Sequence, residues 1–212
     1  MRAGKKNYYF LSFQYMENNA THNKVIVLTG GPGGGKTTLI KELCTIPEYA
    51  NHIISLPEAV FYALQTGISP IEPVFQRLMV EIQSGMEDAV ATCFPDKIIL
   101  CHRGTLDPIA YWLNAGRPET DFYTLTNTSQ QQHYDRYTAV IHLQTAAVNA
   151  QSAYQYYPNA HRGEPPDKAA RLDELLYEVW RDHPRYHFIK SSPDWEEKRA
   201  CYFKIMDKII KS

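Results

Sequence analysis

The chain has 212 residues, 44% hydrophobic and 21% charged, with 22 basic against 23 acidic side chains. That apolar fraction excludes wholesale disorder, and the length fits a domain with one core. A formal net charge of -1 excludes a general polyanion binder but leaves room for a local basic pocket.

Residues 1–22 open with charge and aromatics and lack the apolar core of a signal peptide. They read as an N-terminal extension, with Met16 as a second candidate start just ahead of the first apolar run. One domain is expected over 23–212, with no repeat or long linker dividing it. Its first strand is Val25-Ile26-Val27-Leu28, which runs directly into Gly30, Gly31, Pro32, Gly33, Gly34, Gly35, Lys36, Thr37 and Thr38. This is G-x-x-x-x-G-K-T between a strand and a helical signal (Leu39, Ile40, Leu43), the context a phosphate-binding loop requires. Glycines let backbone N–H groups line a concave anion site, and the following helix adds the positive end of its dipole. Lys36 is placed to reach the β- and γ-phosphates, and Thr37 to ligate Mg²⁺. The loop predicts a nucleoside triphosphate, ATP or GTP, without choosing the base.

The second strand, His52 to Leu56, ends in Pro57-Glu58. A carboxylate at that edge suits a general base or a water-mediated Mg²⁺ contact. The competing reading has Glu58 capping the helix Ala59–Leu64, where a first-turn acid is favourable in any case. Val74, Leu78, Met79 and Ile82 predict the apolar face of the next helix. The third strand, Lys97 to Cys101, is followed by His102-Arg103-Gly104, then Thr105-Leu106-Asp107-Pro108. The usual metal carboxylate is replaced here by His102. Arg103 has a planar fork suited to a phosphate or a second substrate, or to a salt bridge with Glu58 or Asp107. Asp107 is expected to cap the helix that begins at Pro108. Phe61, Tyr62, Phe75, Tyr111 and Trp112 are candidates to stack on an acceptor, with core packing as the alternative for each.

The fourth strand is Ala139 to Leu143. A polar segment follows, ending in Asn159-Ala160-His161-Arg162-Gly163-Glu164, and it is expected to form a lid over 146–168. Phosphoryl transfer needs positive charge over the γ-phosphate, and Arg162 is the main candidate, with Arg171 second. Leu172, Leu175, Leu176 and Val179 mark a helix capped by Asp167. The last strand is Tyr186 to Ile189, and Ile205, Ile209 and Ile210 mark a terminal helix. Loop residues such as Lys190, Ser191 and Ser192 are positioned to contact a base. Five short apolar runs without alternation, joined by helical stretches, predict a doubly wound α/β domain with a parallel sheet buried on both faces. Cys44, Cys93, Cys101 and Cys201 show no paired spacing and are expected to be reduced and mostly buried. No apolar run approaches the ~20 residues that cross a bilayer, so a soluble cytoplasmic protein is expected. No basic face for nucleic acid is evident, and oligomeric state stays open.

The series GGPGGGKTT, LPEAVFYAL, HRGTLDPIAYW, HLQTAA and NAHRGEPPDKAARLDELLYEVWRDHP resembles a predicted P-loop ATPase/kinase family. That family includes the ribosylnicotinamide kinase domain of bacterial NAD regulators and insect proteins implicated in photoreceptor channel trafficking. The resemblance covers residues 24–210. It implies a P-loop NTPase fold of nucleoside/nucleotide-kinase type, strand order 2-3-1-4-5, with ATP or GTP and Mg²⁺. By motif it places Glu58 in the strand-two acidic position, Arg103 in the family's Asp-Arg-Gly block and Asn159, Arg162 and Glu164 in the lid pattern. His102 stands where the family carries Asp, which shifts weight onto Glu58. The expected function is a Mg²⁺-dependent phosphotransferase acting on a small acceptor such as a nucleoside or nucleotide. Lys36, Glu58, Arg103 and Arg162 would be catalytic, and Thr37 and Glu58 would hold the metal. The alternative is a nucleotide-binding switch, or slow NTPase, that signals to a partner through its lid. A ring-forming motor is not expected, since the chain has no room for such a motor's helical lid domain.

Overall fold

A computed structural model describes residues 23–155 and 164–211. In chain order the elements are β1 (Val25–Thr29), α1 (Lys36–Leu43), α2 (Pro47–Ala50), β2 (Ile53–Leu56), α3 (Val60–Leu64), α4 (Pro73–Cys93), β3 (Ile98–His102) and α5 (Asp107–Asn114). There follow α6 (Glu119–Thr126), α7 (Gln130–Asp135), β4 (Ala139–Leu143), α8 (Ala146–Asn149), a 3-10 turn (Gln151–Ala153), α9 (Pro166–Trp180), β5 (Tyr186–Ile189) and α10 (Trp195–Lys211). The five strands form one parallel sheet in the order β2-β3-β1-β4-β5. The predicted fold class and strand order are therefore observed. Strand limits move by a residue: β1 extends to Thr29 and β3 runs from Ile98 to His102.

Alternate residues of the central strands feed two cores. Ile26 and Leu28 of β1 pack with Leu39 and Leu43 of α1 and with Tyr202, Met206 and Ile209 of α10. Val27 points the other way, among Leu106, Ile109, Trp112, Phe122 and Trp180. Both sets are apolar because a parallel sheet hides both faces, which is why the strand runs lack alternation. Trp180 is fully buried; its ring stacks on Tyr134 at 5.7 Å and meets the edge of Tyr137 at 5.6 Å.

Several expectations need correction. Asp107 is the first residue inside α5, with Leu106 at the cap, and its carboxylate turns into the core instead of capping. Asp167 lies in the first turn of α9, whose cap is Pro165. The buried face of α4 is Phe75, Gln76, Val80, Gln83 and Glu87, whereas the expected Val74 is exposed. All four cysteines are free, but Cys93 and Cys201 are exposed and only Cys101 is buried. Four short helices, α2, α6, α7 and α8, were not marked by apolar periodicity. Among the described residues no helix is long and apolar enough to cross a membrane.

Candidate functional site

The site grows from the carboxyl end of β1. Thr29 closes the strand, and Gly30 turns the chain at φ 118, where a side chain would be strained. A Cβ at Gly30 would also lie 2.1 Å from the carbonyl oxygen of Leu143, so only glycine lets the loop pass the end of β4. Gly33 has φ 73, and a Cβ there would sit 2.7 Å from the Tyr154 ring. Gly35 caps α1 in the left-handed region without a side-chain bond, leaving the first-turn N–H groups for an anion.

Lys36 is buried and donates from Nζ to the carbonyl oxygens of Gly30 at 2.7 Å and Gly31 at 2.8 Å. Burial, reinforced by the nearby charge of Arg103, pushes its pKa down to about 7. An ammonium stripped of water in this way gains strongly from an arriving polyphosphate.

The ends of β2 and β3 bring the next groups in. Glu58 follows Pro57 beyond β2 and lies with Oε1 3.3 Å from Nε2 of His102. The same nitrogen is 3.1 Å from Oγ1 of Thr37. Glu58 thus faces the loop rather than capping α3, whose cap is Ala59. Thr37 and Glu58 meet across His102, giving one hydroxyl and one carboxylate at the mouth of the loop. Mg²⁺ takes oxygen ligands, keeps several waters and binds through one or two carboxylates plus substrate phosphates. That donor set fits it, although no cluster of three or more His, Cys, Asp or Glu side chains occurs among the described residues.

Arg103 sits in the left-handed region at φ 74, a conformation uncommon for a residue with a side chain. Its backbone N–H donates to the carbonyl oxygen of Leu28 at 3.1 Å, fixing the turn. Its Nη1 donates to Oδ2 of Asp107 at 3.2 Å and to the carbonyl oxygen of Gly30 at 3.3 Å. The observed salt bridge is with Asp107, one of the two partners considered. Burial works against the guanidinium's charge, yet Tyr111, Asp107 and Glu58 hold its pKa above the ordinary value. Asp107 also accepts from Thr29 Oγ1 at 2.9 Å and from the indole of Trp180 at 2.7 Å. One buried carboxylate thereby ties together β1, the Arg103 turn and α9.

A second acid was not singled out from the sequence. Oδ1 of Asp173, on α9, accepts from Gly31 N at 2.6 Å, Thr145 N at 3.0 Å and His142 Nε2 at 3.1 Å. Burial opposes its ionisation, but these donors hold its carboxyl below the usual carboxylate range. Thr145 completes the clasp by donating to the carbonyl oxygen of Pro32. The only signal was a polar residue inside a leucine stripe.

The AAA domain family model matches residues 25–198, from β1 into α10. The chain belongs to the AAA domain family. Among solved structures, the NadR protein in complex with NAD and AMP-PNP matches this AAA domain with a TM-score of 0.62 at 15% identity. The alignment covers 90% of this chain and 50% of that one, so this chain spans about half the length of that relative. At such identity the likeness is one of fold. A search of the curated proteins returns no match.

Two cavities flank the AAA domain's Arg103 turn. The first, of about 460 Å³, is lined by Pro32 to Thr38, Glu58, His102 and Arg103, and beyond them by Tyr154, Ser191, Ser192, Trp195 and Lys198. The expected base-contact residues Ser191 and Ser192 therefore share a space with the phosphate loop. The second, of about 620 Å³, lies between α3, α4 and α5. Arg103 and Glu164 line both. Of the aromatic candidates, Phe75 and Tyr111 line the second cavity, Trp112 is core, and Phe61 and Tyr62 are exposed. Arg171 pairs with Glu174 on the surface of α9 and lines neither cavity. Asn159 and Arg162 lie outside the described residues, as does the stretch 156–163 of the expected lid.

Proposed function

We propose that this AAA domain is a Mg²⁺-dependent phosphotransferase, taking ATP or GTP in the first cavity and a small acceptor, such as a nucleoside or nucleotide, in the second. The observation that carries this reading is the meeting of the two cavities at Arg103, with Glu58 on the loop side of the junction. The fold likeness to a protein crystallised with AMP-PNP supports a triphosphate in the first cavity.

In this reading the amides of Gly33 to Thr38 and the Lys36 ammonium bind the β- and γ-phosphates. Glu58 takes the proton of the acceptor hydroxyl, whose oxygen forms a bond to the γ-phosphorus as the bridging oxygen leaves with the nucleoside diphosphate. Arg103, held at the junction by Asp107, offsets charge on the equatorial oxygens. Thr37 would hold Mg²⁺ directly and Glu58 through a water, and the ion would neutralise phosphate charge. The four free thiols support a reducing compartment such as the cytoplasm.

The test is a screen of small acceptors for nucleoside diphosphate formation, with Glu58→Gln as the control. An acceptor should raise turnover well above the rate with water, and Glu58→Gln should remove that gain. If no acceptor does so, the kinase reading fails. One observation favours a slow nucleotide switch instead: the imidazole of His102 occupies the space between Thr37 and Glu58. His102→Asp separates the two. It should change turnover by less than about threefold if Glu58 carries the chemistry, and raise it tenfold or more if a missing carboxylate is limiting.

A further inference from the structure

Among the described residues only two lysines are buried, Lys36 and Lys198, at 6% and 5% exposed. Both line the loop cavity. Neither pairs with a described acid, and each donates only to backbone carbonyl oxygens. Lys36 bonds to Gly30 and Gly31, and Lys198 Nζ bonds to Gln144 at 2.6 Å. A buried charge costs free energy unless it is paired and hydrogen-bonded. An ammonium has three N–H donors, so Lys198 keeps two that no described residue accepts. For Lys36 the missing partner is the polyphosphate. Lys198 needs a partner of its own at another wall of the same cavity.

The surroundings of Lys198 say which part of a nucleotide that partner is. Lys198 stands three residues after Trp195 on α10, a spacing that puts both on one helical face. The indole of Trp195 rests against Gly35, at the cap of α1. Gln144, directly after β4, organises this wall. Its carboxamide oxygen accepts from Ser191 N at 3.0 Å, Ser191 Oγ at 3.2 Å and Asn149 Nδ2 at 3.2 Å. Its backbone N–H donates to the carbonyl oxygen of Ile189 at 2.9 Å, and its own carbonyl takes Lys198. The loop amides and Lys36 suit phosphates, whereas this wall offers an aromatic face beside an ammonium donor. Such a pair complements a flat heteroaromatic ring with an acceptor on its edge.

We propose that Lys198 reads the base of the bound nucleotide, donating to a ring nitrogen or ring carbonyl oxygen. Gln144 is the positioning residue that holds Lys198 and Ser191 for that contact. The inference rests on the reading of the first cavity as a triphosphate site.

The test titrates AMP-PNP, GMP-PNP and ribose 5-triphosphate, which has no base, into the full chain with Mg²⁺. The better analogue should bind at least tenfold more tightly than ribose 5-triphosphate. Lys198→Met keeps the stem and removes the donor. It should weaken that analogue by about tenfold, the effect of one lost charged hydrogen bond, and change ribose 5-triphosphate by less than about twofold. Gln144→Leu should weaken the analogue by about fivefold with ribose 5-triphosphate spared. Gln144→Glu keeps the accepting oxygen and should stay within about twofold of wild type. Binding of ribose 5-triphosphate by each variant shows that its phosphate loop is folded. Equal losses for the analogue and ribose 5-triphosphate in Lys198→Met overturn the proposal, as does no loss at all. A loss in Gln144→Glu as large as in Gln144→Leu overturns the positioning role. If ribose 5-triphosphate matches the analogues on wild type, this inference fails and the triphosphate site stands. If none of the three binds, the triphosphate reading falls with it.

Discussion

Asp173→Asn is the most telling single perturbation. It preserves the shape of the side chain and one acceptor oxygen while removing the charge from a group that accepts from Gly31, Thr145 and His142. Hydrogen bonds to charged groups contribute about 1.5–3 kcal/mol each and neutral ones about 0.5–1.5. Neutralising three therefore costs about 1 kcal/mol apiece, or ~3 kcal/mol if they were independent. Because they share one oxygen, the expected loss is about 2–3 kcal/mol. With a urea slope of about 2 kcal/mol/M, the unfolding midpoint should fall by about 1–1.5 M. The Gly31 amide also loosens, so triphosphate affinity should drop by about tenfold. The acid side offers a check of sign. Since the folded carboxyl titrates below its unfolded value, its contribution is complete above about pH 4 and is lost as pH falls through the folded pKa. The gap between wild type and variant should close under acid. An unchanged midpoint together with an unchanged nucleotide affinity would refute the view that Asp173 holds the loop.

Lys36, with its pKa pushed down to about 7, makes nucleotide binding dependent on pH. Above that value the free lysine loses its proton while the complex requires it, so affinity should weaken by up to about tenfold per pH unit. Calorimetry in buffers of differing ionisation heat should show proton uptake on binding at pH 8, and none if Lys36 keeps its proton throughout. Trp180→Phe removes the donor to the buried Asp107 carboxylate and should cost about 1–3 kcal/mol. Thermal melting should show a drop of about 2–4 °C for each kcal/mol; no drop would mean that Thr29 and Arg103 satisfy Asp107 alone.

The strands were legible because each is buried on both faces and so reads as an unbroken apolar run. The phosphate loop was legible because its glycines are demanded by close approach, as Gly30 beside Leu143 shows. The helices were harder wherever the buried side is polar. The hidden face of α4 contains Gln76, Gln83 and Glu87, because it borders a cavity and a network in which Tyr137 donates to Glu87. The apolar stripe therefore pointed beside the most buried face: Leu78, Met79 and Ile82 are half-buried and only Val74 is exposed. Asp107 and Asp173 were obscured for a related reason. For Asp107 the sequence suggested a cap or a pairing with Arg103, and for Asp173 nothing; only the fold adds the distant partners, Thr29 and Trp180 for the first and Gly31, Thr145 and His142 for the second. The α7 segment, Gln130–Asp135, is polar almost throughout; its Ser129 cap and the buried His133 and Tyr134 hold it in place.

Trp195, a wall of the loop cavity, has a practical consequence. Of the three tryptophans, Trp112 and Trp180 are shut inside the core, while Trp195 is partly open. A Cβ at Gly35 would lie 2.6 Å from its indole, so the ring rests on the residue that caps α1. Its emission should respond to whatever settles on the loop, while the two enclosed indoles supply a steady background. The molecule thus carries an intrinsic optical gauge of its own phosphate loop, readable without a label or an acceptor.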